Sequence, residues 1–276
     1  MGHVDAHVHV WTDDTTVYPF APGHEGGKVP HTFLPEDVLG HARACGVDRV
    51  VLVQMSYYAA DNRYMLQVMN DHPGVFGGIG VVDWNADEPD VAMEQLAAAG
   101  VYGFRVYAGD APVATWCDGP GFTKMFAAGS KHRLALCPLI GADGLPALAR
   151  RCREYPDSPV IIDHLCRIGA SGSISEVEVA ALCDMAQYEN VMVKVSAFYA
   201  LGEKTPPYTD LSGLIHRVVD AFGPNRLMWA SDAPYQVQGE HTYAASVALM
   251  EEGLDFLSAS EREQILEKTA AGFFFR

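Results

Sequence analysis

Two histidines one residue apart, His7 and His9, are the residues of this 276-residue chain whose types and spacing point most directly to chemistry. They lie in the opening segment VDAHVHV, whose alternation is typical of a half-buried β-strand. On a strand, residues i and i+2 point to the same face, so both imidazoles aim at one point, with Val4, Ala6 and Val8 on the other face. Two convergent imidazoles can hold a divalent metal such as zinc, although the same alternation also occurs in strands that bind nothing.

The elements that must position this pair form a regular series along the chain. Eight apolar runs of β-type residues alternate with amphipathic stretches of helical periodicity. The predicted strands are 3–10, 49–56, 75–83, 101–107, 133–139, 159–165, 191–197 and 226–231. The predicted helices are 35–45, 62–71, 89–99, 142–154, 175–189, 211–222 and 260–271, the last with Ser260 as its N-cap.

This alternation predicts a single-domain (β/α)8 TIM barrel over residues 1–276, with a parallel sheet closed by βα units. An open doubly wound sheet is the alternative, but no Gly-x-Gly-x-x-Gly segment follows an early strand. The irregular stretch 11–31, rich in glycine and proline, has a length that suits an active-site loop after the first strand. Barrel enzymes place their reacting groups at the carboxyl ends of the strands, so those ends indicate where a site would lie.

Two further strand ends carry side chains suited to a metal. The sixth predicted strand ends in His164, and the eighth runs directly into Asp232. Three imidazoles and one carboxylate, all at strand ends, form a set that fits a divalent metal. Taken alone, each residue also has an ordinary structural explanation, His164 as a rim histidine and Asp232 as the cap of the helix that follows.

These segments resemble the amidohydrolase superfamily. The similarity covers almost the whole chain and rests on the His-x-His of the first strand, the Ile-Asp-His of the sixth and the Ser-Asp-x-Pro of the eighth. Within the superfamily they match the amidohydrolase-related branch, which contains lactonases and aminocarboxymuconate-semialdehyde-type decarboxylases. The resemblance implies a metal held by His7, His9 and His164, with Asp232 as both ligand and proton carrier.

The chain departs from the superfamily pattern at two strands. Binuclear members carry a bridging lysine or acid on the fourth strand, where this chain has GFRVY, so at most one metal is expected. The decarboxylases carry a further histidine on a neighbouring strand, whereas the polar residues of the seventh strand here are Lys194 and Ser196, which strand periodicity directs inward. These departures favour a lactonase-like hydrolase. Some relatives in the lactonase branch work without a metal, so metal-free catalysis stays open.

Candidate substrate-binding residues surround the same strand ends. Strand periodicity turns Arg105 inward, where its planar guanidinium suits a carboxylate. Arg167 follows His164 by three residues, and Gln54 and Tyr199 lie at the ends of other strands. We therefore expect a small anionic substrate. The alternative for Arg105 is an internal salt bridge, and the alternative for Arg167 is a solvated surface charge.

Composition limits the partners. The formal net charge of −16 disfavours nucleic acid or an anionic membrane surface as a partner. Neither a leader-like segment nor an apolar run of about 18 residues is visible, so neither secretion nor a membrane span is expected. The six cysteines form no Cys-x-x-Cys pair and are expected to be free thiols in a reducing cytoplasm. The oligomeric state cannot be read from these features.

Together these residues predict a hydrolase of a small carboxylated or hydroxylated lactone, or of a related ester or amide. One divalent metal, zinc first and manganese second, would lower the pKa of a bound water, and Asp232 would accept its proton and return it to the leaving alkoxide. The metal or Lys194 would stabilise the developing oxyanion. A metal-dependent non-oxidative decarboxylase and a non-catalytic binding barrel are the alternatives.

Overall fold

The strands of the computed structural model, which describes residues 2–24, 26, 28–109 and 111–276, form one parallel sheet. They pair in chain order from the first to the eighth, with no reversal of direction or order. The strands are β1 (His3–Val8), β2 (Val47–Val53), β3 (Phe76–Gly80), β4 (Val101–Val106), β5 (Ala135–Pro138), β6 (Val160–Ile162), β7 (Val191–Ser196) and β8 (Leu227–Ala230). The predicted (β/α)8 barrel is confirmed, because a doubly wound sheet would reverse its strand order at a switch point.

At least one helix follows each strand, and the helices surround the sheet. They are α1 (Pro35–Ala44), α2 (Arg63–Asp71), α3 (Pro89–Ala98), α4 (Pro120–His132), α5 (Leu145–Glu154), α6 (Glu176–Asp184), α7 (Ser212–Phe222), α8 (Tyr243–Glu251), α9 (Ala259–Glu263) and α10 (Thr269–Phe274). Three of them begin with proline, whose missing N–H would be unpaired in the first turn in any case. Before α9, Ser258 forms a capping box with Glu261, so the prediction of Ser260 as the N-cap is wrong by two residues.

Two apolar clusters pack on either side of the sheet. The larger one lies between the strands and the helices. The smaller one lies inside the barrel, where Ala270, Phe273 and Phe274 of α10 pack against the strands. The strand residues of this inner cluster are Val4, Ala6, Val51, Val53, Ile79, Ala135, Cys137, Ile161, Met228 and Ala230.

The barrel closes at a seam between β1 and the segment that follows β8. The backbone N–H of Asp232 donates to the carbonyl of His7, and that of His9 donates to the carbonyl of Ala233. Each of these hydrogen bonds is 2.9 Å long. Val8 and Ala233 form an isolated parallel bridge. The two segments that carry predicted metal ligands are therefore joined backbone to backbone.

All six cysteines are free thiols, as predicted. Among the described residues, every helix is too short or too polar to cross a lipid bilayer. The cytoplasmic location stays a prediction.

Candidate active site

A β-bulge in β1 turns both His7 and His9 into the barrel. In the middle of the strand, β1 holds one residue more than the stretch of β2 with which it pairs. The extra residue breaks the alternation of faces, so Val4 and Ala6 lie in the inner apolar cluster, on the same side as the histidines. The prediction that they occupy the opposite face is therefore wrong, whereas Val8 does lie in the outer cluster.

The two buried imidazoles converge, with their Nε2 atoms 3.3 Å apart. His9 Nδ1 lies 2.8 Å from the carbonyl of Val53, a contact that places the proton on Nδ1 and leaves the lone pair on Nε2. His7 Nδ1 lies 3.3 Å from Oδ1 of Asp163 and 3.2 Å from Nζ of Lys194. Burial, reinforced by the charge of Lys194, lowers the pKa of His7 well below its usual value. His7 is therefore neutral at neutral pH.

Asp232 completes a tight cluster with the two histidines. Its Oδ1 lies 3.5 Å from His7 Nε2 and 3.4 Å from His9 Nε2, and it is buried without a hydrogen-bond partner among the described residues. Its Oδ2 accepts a hydrogen bond of 2.7 Å from the hydroxyl of Tyr199. Burial alone would raise the pKa of Asp232, but the neighbouring His164 and His7 outweigh burial and hold the pKa below its usual range. Asp232 is therefore a carboxylate at neutral pH.

The spacing within this cluster is that of metal ligands. In a tetrahedral site with bonds of about 2.0–2.1 Å, two ligand atoms lie about 3.3–3.4 Å apart. The three separations here are 3.3, 3.4 and 3.5 Å. An unpartnered buried carboxylate oxygen that faces two imidazole nitrogens is also a donor set suited to a divalent cation. The residues present therefore fit a metal, which His7, His9 and Asp232 would hold.

His164 lies beside this cluster on a left-handed turn. The four residues from His164 to Arg167 all have φ between +49° and +57°, although none is glycine. The turn brings both His164 and Arg167 to the same cavity. His164 Nδ1 lies 2.9 Å from the hydroxyl of Ser196, and its Nε2 lies 3.7 Å from Asp232 Oδ2. His164 is thus close to the cluster, and its assignment as a fourth ligand stays a prediction.

Behind His7 lies a buried ionic network centred on Asp163. The Asp163 carboxylate is fully buried, 3.0 Å from Lys194 Nζ and 3.2 Å from Arg105 Nε. The same two cations flank His7, with Lys194 Nζ 3.2 Å from Nδ1 and Arg105 Nη2 3.0 Å from Nε2. Burial alone would raise the pKa of Asp163, but the two positive charges hold it well below its usual value. Arg105 and Lys194 therefore point inward, and Arg105 forms the internal salt bridge considered as its alternative.

A cavity of about 800 Å³ opens at the carboxyl ends of the strands. His9, His164 and Asp232 line it, whereas His7 and Lys194 do not. Asp232 is the one acid among the described lining residues. The other polar and aromatic lining residues that matter below are Gln54, Arg105, Arg167, Tyr199, Lys204 and Tyr235. The site is thus a locally basic opening in a strongly acidic chain.

The loop that follows β1 reaches this region only indirectly. Its residue Ala21 donates a backbone hydrogen bond of 2.7 Å to the carbonyl of Tyr57, and the Phe20 ring packs edge-on to the Tyr57 ring. None of the described residues of 11–31 lines the cavity. The expectation of an active-site loop is therefore wrong for direct contact within the described part of the loop.

The predicted substrate-binding residues all line the cavity, but they differ in what they offer. Gln54 Nε2 donates to the carbonyls of Ala59 and Asp61 at 3.3 and 2.8 Å, so its Oε1 is the atom left for a ligand. Tyr199 is engaged with Asp232. Arg167 is exposed, and no salt bridge joins it to an acid in the described part of the chain.

Four residues of the site escaped the sequence analysis: Asp5, Asp163, Lys204 and Tyr235. Asp5 and Asp163 each lie within a predicted strand, and an acidic residue is rarely buried there without a specific partner. That signal was available for both. Lys204 and Tyr235 lie in loops, where no periodicity indicates a direction.

Comparisons with known proteins agree with this geometry. The family model described as Amidohydrolase matches residues 4–276. L-fucono-1,5-lactonase from Burkholderia ambifaria is 28% identical over 98% of this chain and 94% of that protein. The solved structure of a 2-pyrone-4,6-dicarboxylic acid hydrolase homologue from Pseudomonas putida has a TM-score of 0.83 and 26% identity, covering 99% of this chain and 97% of that one. A zinc-bound amidohydrolase from Burkholderia multivorans shares the fold, with a TM-score of 0.82, 22% identity and coverage of 100% and 99%. The chain belongs to the amidohydrolase family.

Proposed function

We propose that the protein hydrolyses a small lactone, with Asp232 as general base and with one divalent metal held by His7, His9, His164 and Asp232. The observation that carries the proposal is the buried Oδ1 of Asp232, which has no hydrogen-bond partner among the described residues and faces two imidazole nitrogens. Asp232 also borders the cavity. Membership of the amidohydrolase family and the similarity to a lactonase support this reaction class.

When bound, the metal would lower the pKa of a water molecule and polarise the lactone carbonyl. Zinc is the proposed ion and manganese the second choice, because imidazole nitrogen and carboxylate oxygen suit both. The zinc in a solved structure of the same fold supports this choice.

The chain's own residues supply the proton transfers. Asp232 is ionised at neutral pH, so its carboxylate can accept a proton from the attacking water. Tyr199 engages Oδ2 and thereby keeps Oδ1 turned toward the histidines. As the ring C–O bond breaks, the same carboxyl group returns the proton to the leaving oxygen, and the product is a hydroxy acid.

Two cations contribute in different ways. Arg105 borders the cavity, so its guanidinium can stabilise negative charge on the carbonyl oxygen of the substrate. Lys194 is fully buried and does not border the cavity. We therefore propose that Lys194 acts through His7 and Asp163, which it contacts, rather than at the oxyanion.

The remaining polar groups suit an anionic or hydroxylated substrate. Arg167 and Lys204 line the cavity, where they can bind a substrate carboxylate. The free Oε1 of Gln54 accepts hydrogen bonds and therefore suits a substrate hydroxyl. The proposed substrate class is a small lactone that carries a carboxylate, hydroxyl groups or both.

A panel of five- and six-membered lactones, neutral and carboxylated, tests this proposal when acid release is followed with a pH indicator and the metal content of the purified protein is measured. We expect acid release from at least one lactone and about one metal ion per chain. Absence of acid release across the panel would contradict the hydrolase proposal. Release of carbon dioxide from a carboxylated substrate without lactone opening would instead favour the decarboxylase alternative.

A further inference from the structure

Asp5 is a fully buried carboxylate that lies outside the cavity yet contacts both ligand-bearing segments. Its Oδ1 accepts hydrogen bonds from the backbone N–H groups of His7 and Ser231, at 3.1 and 2.9 Å. Its Oδ2 accepts hydrogen bonds from the hydroxyls of Tyr243, at 2.7 Å, and of Ser231. Four donors on one carboxylate satisfy its hydrogen-bonding capacity, so Asp5 is a fixed point in the seam of the barrel.

The first of these contacts accompanies the bulge in β1. Residues at a bulge leave the regular strand ladder, and their backbone groups need other partners. The N–H of His7 finds its partner in the Asp5 side chain, two residues earlier. Asp5 therefore stabilises the backbone shape that turns the His7 imidazole into the barrel.

The contacts to Ser231 act on the other side of the seam. Ser231 immediately precedes Asp232, and its Oγ accepts a hydrogen bond of 3.0 Å from the N–H of Ala233. The residues on both sides of Asp232 are thus tied to Asp5, one directly and one through the serine hydroxyl. Asp232 itself has φ of +65°, a conformation that a non-glycine residue keeps only when its surroundings hold it there.

Tyr243, at the start of α8, holds Asp5 from outside the barrel. The tyrosine is buried, its ring is stacked on that of His41 at a centroid distance of 6.4 Å, and it packs edge-on to Trp229 at 5.8 Å. These contacts fix the phenol oxygen that donates to Asp5. The outer helical layer is thereby connected to the backbone on which the ligands sit.

We propose that Asp5 is a positioning residue that sets the separation between the His7 and His9 imidazoles and the Asp232 carboxylate, with Tyr243 holding Asp5 in place. The proposal rests on the proposed function, since it assumes that these three side chains bind a metal. Asp5 contacts the chain through backbone groups and hydroxyls, so its effect on the ligands is one of geometry.

Metal binding and spectroscopy test this proposal independently of turnover. The probes are Zn²⁺ affinity, measured by competition with a chelating dye, and the visible absorption of bound Co²⁺. In Asp5→Ala we expect the Zn²⁺ Kd to rise about 10- to 100-fold, the usual range for residues that orient metal ligands. Asp5→Asn keeps one oxygen for the N–H groups of His7 and Ser231, so we expect it to restore most of the affinity and the wild-type Co²⁺ spectrum.

A matched pair of tyrosine variants tests the same proposal if Asp5→Ala does not fold. Tyr243→Phe removes one donor to Asp5, whereas Tyr58→Phe removes a buried hydroxyl whose partners among the described residues are backbone groups of Thr12. We expect a weaker Zn²⁺ affinity and a changed Co²⁺ spectrum in Tyr243→Phe alone. Equal affinities and spectra in the two variants, or a folded Asp5→Ala with wild-type values, would overturn the proposal. Failure of the wild-type protein to bind Zn²⁺ would instead count against the proposed metal site.

Discussion

Tyr199 donates its hydroxyl to Oδ2 of Asp232 across 2.7 Å and so makes the two oxygens of that carboxylate inequivalent. The bonded oxygen is held toward the cavity wall. The other oxygen, Oδ1, has no hydrogen-bond partner in the described residues and faces the His7 and His9 imidazoles. One side chain thus fixes which oxygen of Asp232 faces the two imidazoles.

We expect Tyr199→Phe to lower kcat by about 10- to 100-fold, because a hydrogen bond to a charged group contributes about 1.5–3 kcal/mol and here orients the base. KM should change little, since the cavity keeps its aromatic wall. Steady-state kinetics on a hydrolysed lactone measure both values. The control is Tyr235→Phe, whose ring lines the same cavity but whose hydroxyl makes no hydrogen bond to Asp232 in the described part of the chain. Equal kcat values for the two variants would contradict this assignment.

Lys194→Met should destabilise the protein by about 3–5 kcal/mol, because removing one partner leaves a buried carboxylate undercompensated. Lys194 and Asp163 are both fully buried and 3.0 Å apart. The double variant Lys194→Met/Asp163→Asn should recover part of this loss, since it also removes the buried negative charge that the single variant leaves undercompensated. Urea unfolding of the single and double variants measures the difference. A single variant as stable as the wild-type protein would show that the pair contributes nothing.

Comparison of Arg167→Gly with Arg167→Ala should distinguish the effect of Arg167 on protein stability from its effect on substrate binding. Arg167 is exposed and has φ of +57°, a left-handed conformation that costs a non-glycine residue about 1–2 kcal/mol. We expect Arg167→Gly to be more stable than Arg167→Ala by about 1 kcal/mol, since both lose the charge and only glycine loses the strain. Both variants should raise KM for a carboxylated lactone about tenfold or more and leave a neutral lactone unaffected. An unchanged KM for the carboxylated lactone would contradict the anchoring assignment.

Protein freed of metal with a chelator should lose stability as the pH falls below 6.5. Burial holds the folded-state pKa of His7 and His164 below the ordinary histidine value of 6.5. As the pH falls, the unfolded chain therefore binds protons at these histidines before the folded chain does. Each histidine then costs about 1.4 kcal/mol per pH unit. Asp5 changes the stability in the opposite direction. Burial raises its pKa from 3.8 to about 6, so the folded protein binds this proton at a higher pH than the unfolded chain.

Two histidines outweigh one carboxyl group, so the free energy of unfolding should fall between pH 6.5 and pH 5.5. Urea unfolding at several pH values measures it, and His164→Asn should reduce the slope. A stability that rises as the pH falls through this window would contradict the buried, neutral state of the histidines.

Most of the fold could be predicted because it depends on local periodicity. Apolar strands that alternate with amphipathic helices have few packing solutions, and eight of them favour a barrel. Strand periodicity also gave the inward direction of Arg105 and Lys194, which lie on strands without a bulge at those positions.

The details that escaped prediction depend on contacts between distant residues. The bulge in β1 uses a carboxylate that also bonds to Ser231, 226 residues away, so no local pattern marks it. The left-handed turn after β6 contains Leu165 and Cys166. Both residue types favour negative φ, so the sequence does not indicate a left-handed turn there. Asp163 stood in a segment already singled out, but its partners come from β1, β4 and β7 and become visible only when the barrel closes.

The most direct test of the account is the turnover of Asp232→Asn on a lactone that the wild-type protein hydrolyses. Asparagine keeps the size of the side chain but cannot accept the proton, so kcat should fall by about 100- to 10,000-fold while the far-ultraviolet circular dichroism is unchanged. Asp83→Asn, an exposed aspartate, is the control and should retain full activity. A folded Asp232→Asn protein with wild-type kcat would contradict the assignment of Asp232 as the general base.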